Sequence, residues 1–505
     1  DTMSSSEEMA DCGLMPAACD AQHNYAKLNL FSCLSYVVGC IIGSAIFVTP
    51  STVLRQSGSV GLALVFWVVG AVVSFIGSIV YIELGTSIPK SGSDFSYAVY
   101  VGWESIAFAF MLVSLFASPA YGGVLVATLG DYAVAAITVV TGPISWSFWA
   151  SRLIGGICIA ILTYINCFAI SKYTSPLQMV VTSAKVLALA AVITIGVIFT
   201  VEHGVGDHFV EPFAGSVSDP GSIILTAYGV LFSYAGWEIL NNGCAEVKNP
   251  RRTLPLAMLI SLTLVTATYL LINLSFFSVL TVPEIVESKA LIVTLTDKVL
   301  GSRFSWIVSV VITVFMIGTI NAMLFANSRY FQAAAVEGHL PAIVSALHLP
   351  SGSPRVAVVY LGIGSIILSL VDVSTLISCM SFVSWGHRVV SSCILLLIRH
   401  KNIPVADGAI RFPLIFAILL LAISCCLVCI PVVTKFQYTA VGLGLFVFAM
   451  ALYYLVVKPD RQIKRLAGIT ESVNAFITKL LDVTIPPHPS PSKAEFVDHA
   501  VIQDA

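Results

Sequence analysis

Twelve apolar segments of roughly 20 residues, each with few charged side chains, recur along the chain and limit what it can fold into. Of 505 residues, 57% are hydrophobic and 10% are charged, whereas a soluble domain carries about 25% charged residues. We therefore predict an all-α polytopic membrane protein with about twelve transmembrane helices. The predicted spans cover residues 30–54, 60–85, 104–129, 150–170, 177–200, 221–244, 254–281, 304–334, 355–371, 373–398, 412–433 and 436–457.

Twelve spans place both chain ends on one side of the membrane, and the cationic residues indicate which side. Of the 25 lysines and arginines, 17 fall in loops and tails on that side and six on the other. Cytoplasmic loops carry the excess of Lys and Arg, so we predict that both termini are cytoplasmic. The predicted location is the plasma membrane. A disordered tail over residues 1–27 and a C-terminal tail over residues 458–505 would flank one membrane domain.

Two glycine-containing interruptions lie within the first and the sixth apolar segments. They read Gly43-Ser44-Ala45-Ile46-Phe47 and Phe232-Ser233-Tyr234-Ala235-Gly236-Trp237. Unwound backbone at membrane depth persists only where protein or a water-filled cavity satisfies its polar groups. Breaks five spans apart predict a five-plus-five inverted repeat with discontinuous helices 1 and 6, and a transporter binding site between them. The alternative is that these small residues only allow close helix packing.

The repeats would cover about residues 28–200 and 221–398, with extra helices over about 412–457. Free N–H groups after the first break suit a carboxylate, and unwound carbonyls in the sixth span suit an ammonium group. These two kinds of group together match an α-amino acid. No spacing typical of metal ligands or of a nucleophile and its base occurs, so we predict neither an enzyme nor a cofactor. The net charge of −2 gives no indication that the protein binds nucleic acid.

Four motifs occur in order between about residues 30 and 400. They read Ile-Gly-Ser-Ala-Ile-Phe-Val-Thr-Pro at 42–50, Glu-Leu-Gly-Thr-Ser-Ile-Pro-Lys-Ser-Gly at 83–92, Ala-Glu-Val-Lys-Asn-Pro-Arg-Arg-Thr-Leu-Pro-Leu-Ala at 245–257 and Glu-Gly-His-Leu-Pro at 337–341. Together they resemble the L-type amino acid transporters of the amino acid–polyamine–organocation superfamily. The resemblance implies sodium-independent exchange of amino acids. A proton-coupled symporter and a transport-deficient amino acid sensor are the alternatives.

The resemblance also assigns roles to the residues at the two breaks. Those that would hold the substrate carboxylate are Ile41, Gly43, Ser44 and Ala45. Those that would face the amino group, with the Phe232 ring as a gate, are Phe232, Ser233 and Ala235. Ala45 and Ala235 stand where the family usually has Gly. Their methyl groups predict a tighter site or a different substrate.

Four ionisable residues within predicted spans are further candidates, because such residues are usually functional. The resemblance suggests that the Lys185 ammonium takes the place of a sodium ion and braces span 5 against span 1; the alternative is a lysine that snorkels to the interface. Glu238 would bind a cationic side chain, titrate as a coupling group or stay solvated. His387 would be a hydrogen-bonded interior residue or a proton relay. Arg388 needs a partner, and Glu238 is one candidate.

Many L-type transporters are joined to a single-span glycoprotein by a disulfide. The family's linking cysteine lies in the loop between spans 3 and 4. Here the predicted loop, residues 131–150, contains no cysteine. We therefore predict no covalent heavy chain, and a non-covalent partner stays open. The remaining expected partners are an amino acid, as the small-molecule substrate, and the lipid bilayer.

Overall fold

Helices account for every predicted span. The computed structural model describes residues 27–43, 45–142, 145–168, 173–204, 209–288, 291–301, 304–371, 373–434, 436–457 and 474–485. Each predicted span coincides with one helix or with a pair of half-helices, which confirms the all-α polytopic fold. Residues 1–26 and most of 458–505, on which the predicted tails fall, lie outside the described residues.

Ten of the spans are single helices. They are Val60–Ser87 (span 2), Glu104–Thr141 (span 3), Ser147–Asn166 (span 4), Ser175–His203 (span 5), Pro250–Val279 (span 7), Ser305–Val336 (span 8), Arg355–Leu368 (span 9), Val373–His400 (span 10), Ile415–Thr434 (span 11) and Phe436–Leu452 (span 12). Span 1 is broken into Leu30–Ile41 and Ala45–Ser57, and span 6 into Pro220–Ser233 and Ile239–Asn242. The predicted discontinuities of helices 1 and 6 are therefore confirmed. The bounds of the two repeats stay a prediction.

Span 3 is longer than the sequence predicted. It was expected to end at residue 129, before Asp131, but it continues to Thr141. The Asp131 carboxylate accepts hydrogen bonds from Ser151 (2.5 Å) and Arg152 (3.1 Å) of span 4. Because a partner on the next helix satisfies this charge, the helix does not have to end there. The connection to span 4 shortens to residues 142–146.

Spans 3 and 8 form the centre of the bundle. They pack against each other, and span 3 also contacts spans 4, 9, 10 and 12. Both are more buried than the other long apolar helices. The first half of span 1 packs against spans 5, 7 and 8, whereas its second half packs against the first half of span 6. The two breaks therefore lie beside the central pair of helices.

Two short helices cover the bundle on the side opposite to the one where span 1 begins. They are Val282–Glu287 and Leu291–Val299, in the loop between spans 7 and 8. The guanidinium of Arg55, in the second half of span 1, donates to the carbonyl of Val286. Glu284 accepts from the backbone of Thr281 (2.7 Å) and from Lys298 (2.8 Å). The pKa of Glu284 lies below its usual range, chiefly because of the hydrogen bond from Lys298 and, to a smaller extent, because of the one from Thr281.

On the other side, which we call the terminal side, span 1 begins and span 12 ends. There Leu28 forms a parallel bridge with Val247, just after span 6. The Leu28 N–H donates to the carbonyl of Glu246 (2.8 Å), and the Lys248 N–H donates to the carbonyl of Leu28 (2.9 Å). This bridge fastens the start of span 1 to the chain that follows span 6.

Residues 474–485 return to the terminal side of the bundle. A helix over 474–481 precedes Thr484, which exchanges two backbone hydrogen bonds of 2.9 Å with Leu347 in the loop between spans 8 and 9. Arg355 at the start of span 9 donates to the carbonyl of Leu481 (2.6 Å). Part of the predicted C-terminal tail therefore packs against the membrane domain.

A buried ion pair joins span 2 to span 10 and gives a test of this packing. Glu83 is 3% exposed and accepts from Arg399 at 2.6 Å. Changing it (Glu83→Gln) should lower the free energy of unfolding by about 3–5 kcal/mol, because Arg399 loses its carboxylate in a site with little water. Thermal unfolding of the detergent-solubilised protein measures the change.

The matched control is Glu284→Gln, which breaks the exposed pair with Lys298. An exposed pair contributes about 0–1 kcal/mol, so this variant should melt close to the parent protein. Equal losses in the two variants would contradict the assignment of Glu83 to a buried structural pair.

Candidate functional site

A cavity of about 530 Å³ lies at the breaks of spans 1 and 6. This volume is typical of small-molecule sites. Spans 2, 3, 8 and 10 complete its wall. The residues predicted for the site that line it are Ile41, Gly43, Ala45, Phe232, Ala235, Glu238 and His387. Ser44 lies outside the described residues.

The break of span 1 is held by a lysine from span 5. The Lys185 ammonium donates to the carbonyls of Gly39 (2.8 Å) and Ile42 (2.7 Å) and to the hydroxyl of Thr319 (3.0 Å). Lys185 is 0% exposed, so it does not snorkel to an interface. These carbonyls lie at the C-terminal end of the first half-helix. No following helical turn supplies N–H groups to donate to them. One ammonium therefore satisfies backbone groups that the break leaves open.

A tyrosine of span 7 connects the two breaks. The buried hydroxyl of Tyr269 lies 3.0 Å from the carbonyl oxygen of Ile41 and 3.0 Å from that of Ser233. Each carbonyl belongs to the last residue of a half-helix. Neither Tyr269 nor Thr319 was among the residues predicted for the site. Their only signal in the sequence was a polar tip, which they share with several other residues of the same mostly apolar spans.

The break of span 6 depends on a glycine. Gly236 has φ +107°, in the left-handed region that side chains disfavour. A Cβ at this position would lie 2.7 Å from the Sγ atom of Cys40 in the first half of span 1. Only the absence of a side chain at this position lets the break of span 6 approach the first half of span 1 this closely. The glycine therefore sets the distance between the two broken helices.

The other residues predicted for this wall differ in their placement. Phe232 lines the cavity and is 42% exposed. The buried hydroxyl of Ser233 instead donates to the carbonyl of Gly229 (3.2 Å) in its own helix. Within the described part of the chain, Ser233 is not among the residues that line the cavity. What Ser233 contributes at the break is its backbone carbonyl.

Glu238 and Arg388 form an ion pair at the edge of the cavity. Arg388 Nη2 donates to Glu238 Oε1 at 2.7 Å, and Nη1 donates to the carbonyl of Ser384 at 2.9 Å. The guanidinium carbon also lies 5.3 Å from the ring centre of Trp237 and 4.8 Å from that of Trp385. The carboxylate that the sequence singled out therefore has its counter-charge within the protein.

His387 has a partner that the sequence analysis missed. Its Nδ1 lies 3.1 Å from the carboxylate of Asp94, on the short helix Ser93–Tyr100 between spans 2 and 3. Asp94 also accepts from Tyr81 (2.6 Å) and from Ser391. His387 is thus a hydrogen-bonded interior residue, as one of the two interpretations held. Its Nε2 has no hydrogen-bond partner among the described residues.

Comparison with known proteins identifies the family. A family model described as "Amino acid permease" matches residues 28–457. The chain belongs to this amino acid permease family. Amino acid transporter protein 6 of Caenorhabditis elegans is 33% identical to the permease over 462 residues, which cover 90% of this chain and 88% of the relative.

Two mammalian relatives agree with this assignment. Large neutral amino acids transporter small subunit 2 of Rattus norvegicus is 30% identical, over 94% of this chain and 88% of its own length. Asc-type amino acid transporter 1 of Mus musculus is 31% identical, over 91% and 86%. The permease is a multi-pass membrane protein that transports amino acids, and its resemblance to the L-type family is confirmed. The expectation that it is not an enzyme agrees with these relatives.

Removing one hydroxyl tests the link between the breaks. In the variant Tyr269→Phe the carbonyls of Ile41 and Ser233 lose a shared donor. We expect amino acid uptake to fall by about tenfold or more, because small displacements of positioning groups are costly. Uptake per molecule in proteoliposomes measures the effect.

The control is Tyr100→Phe, whose hydroxyl also donates to a backbone carbonyl, that of Pro404, but away from the cavity. Its uptake should match that of the parent permease. If Tyr269→Phe transported at the parent rate, the hydroxyl would have no role in positioning the breaks.

Proposed function

We propose that the permease is a sodium-independent amino acid exchanger that works by alternating access. The observation that carries this proposal is the ammonium of Lys185 at the end of a half-helix. Unwound carbonyls and half-helix ends are the groups with which transporters coordinate sodium. Here a covalently attached cation with three oxygen partners occupies such a place. The break is then held without a sodium ion.

The cavity supports a proposed mode of amino acid binding. The substrate carboxylate would accept from the free N–H groups at the start of the half-helix Ala45–Ser57. The residues that we assign to this carboxylate site from the resemblance are Ile41, Gly43, Ser44 and Ala45. The ammonium group of the substrate would donate to carbonyls at the break of span 6, near Phe232, Ser233 and Ala235. Phe232 is the proposed gate because its ring is exposed to the cavity.

The proposed cycle switches between two states of the same cavity. The second half of span 1, the first half of span 6 and the helix Val282–Glu287 pack together on the side opposite the termini. Release to that side would require these contacts to separate, while release to the terminal side would not. Substrate shifts the equilibrium only if it binds the two states differently. The exchange mode itself is proposed from the resemblance to the L-type family.

We further propose the plasma membrane as the location, with both termini cytoplasmic. The excess of Lys and Arg on the terminal side supports this orientation. The connection between spans 3 and 4 contains no cysteine, which supports a transporter without a disulfide-linked heavy chain. A non-covalent partner is compatible with this proposal.

Counterflow in proteoliposomes tests the exchange. Vesicles hold unlabelled amino acids inside, a labelled panel is added outside, sodium is absent and the pH is equal on both sides. We expect label to accumulate only when internal amino acid is present. Uptake that requires sodium would contradict the proposal.

The same assay separates the two alternatives. Asp94 and His387 form a half-buried pair that lines the cavity, and this pair favours proton coupling as the second candidate. Flux that appears only with an imposed proton gradient would establish that candidate. Binding of amino acids without any flux would point to the sensor.

Lys185→Ala tests the observation that carries the proposal. The carbonyls of Gly39 and Ile42 would lose their donor, so span 1 would be misplaced and exchange should fall by about 100-fold. The initial rate of counterflow, corrected for the amount of folded protein, is the measurement. The control Lys298→Ala removes an exposed ammonium from the loop between spans 7 and 8 and should keep the parent rate. Parent-level exchange by Lys185→Ala would contradict the proposed role.

A further inference from the structure

Arg388 sits in a site whose groups are those that recognise a cation. The site offers a carboxylate from Glu238, a carbonyl from Ser384 and two indole rings, those of Trp237 and Trp385. Carboxylates pair with guanidinium groups through strong charge-assisted hydrogen bonds. Indole faces attract cations, and arginine stacks on them readily. The guanidinium of the protein itself therefore fills a complete cation site.

This site belongs to the cavity and not to a separate part of the bundle. Glu238, Trp385 and Arg388 line the same cavity as Ala45 and Ala235 at the two breaks. The side chain of Arg388 is 6% exposed and that of Glu238 is 25% exposed. Glu238 follows the break of span 6 directly, because it precedes the short half-helix Ile239–Asn242. A substrate held at the breaks would extend its side chain within reach of this pair.

The ion pair of Glu238 and Arg388 leaves little binding energy for the cationic side chain of a substrate. One oxygen of Glu238 is engaged by Arg388, and the other, Oε2, has no hydrogen-bond partner among the described residues. A cationic substrate could bind this carboxylate only beside the positive charge of Arg388 or by displacing it. Displacement would leave a buried guanidinium without its counter-ion, which is strongly unfavourable. Unpaired charge of this kind is a common means of rejecting a wrong ligand.

We infer that Arg388 is a built-in cation that occupies a cation-recognition site in the cavity and thereby excludes amino acids with cationic side chains. Glu238 is then a selectivity residue, but its effect is opposite to one of the three roles left open by the sequence, the binding of a cationic side chain. It binds an internal cation and does not recruit an external one. This inference rests on the proposed transport of amino acids through this cavity.

Removing the internal cation should open the site to external ones. In Arg388→Ala, L-arginine and L-lysine should compete with a labelled neutral amino acid at least about tenfold better than in the parent permease. In the double variant Glu238→Gln/Arg388→Ala, which also lacks the carboxylate, this gain should disappear. The measurement is the concentration of each competitor that halves counterflow.

A binding measurement gives a readout that does not depend on transport. The methylguanidinium ion should raise the melting temperature of Arg388→Ala in detergent, because it can occupy the vacated site. It should have no such effect on the parent permease or on the double variant. A shift of equal size in all three proteins, or in none, would overturn the cation site.

If Arg388→Ala does not fold, uptake of amino acids by the parent permease tests the inference. Uptake of L-arginine or L-lysine by the parent at rates comparable to those of neutral amino acids would overturn the inference and leave the proposed transport intact. Uptake of neutral amino acids alone would support it. Absence of all amino acid flux in the parent would refute the proposed function, while the methylguanidinium shift would still test the cation site.

Discussion

The cavity exists because the ammonium of Lys185 satisfies the carbonyls at the break of span 1. A helix can open within a membrane only if other groups replace its lost hydrogen bonds, since each unsatisfied group in hydrocarbon costs several kcal/mol. Lysine suits this position because it has three donors and no acceptor. Thr319 provides its third oxygen, so the charge is buried with a full set of partners. The bonds of Tyr269 and the close approach at Gly236 then fix span 6 beside the opened segment.

The sequence was sufficient for features that repeat or that violate an expected pattern. Apolar length revealed the spans, and small residues within them revealed both breaks. Lys185, Glu238 and Arg388 were conspicuous because charged residues are rare at this depth. The predicted end of span 3 at residue 129 was too early, because the helix continues past Asp131, whose partner Arg152 lies on the next helix. A charge marks a boundary only when nothing nearby neutralises it.

Other parts of the site could not be predicted from the sequence. Tyr269 and Thr319 each contribute one hydroxyl, and nothing in the sequence distinguishes these hydroxyls from the other polar groups of spans 7 and 8. Asp94 lies on a short helix that the prediction treated as a loop, so its contact with His387 was unforeseen. Glu238 was one candidate partner for Arg388, but the two residues are 150 positions apart in the chain. Their pairing depends on how spans 6 and 10 are packed, which no local pattern encodes.

The bridge between Leu28 and Val247 has a consequence for the direction in which the molecule can open. Together with Tyr269, it ties the two broken helices to each other both at the cavity and at the terminal side. While these bonds persist, spans 1 and 6 stay joined at both levels, so the two helices cannot separate on the terminal side without breaking them. A path to the terminal side that leaves these bonds intact would have to open between this pair and other helices of the bundle, and not between the two broken helices themselves.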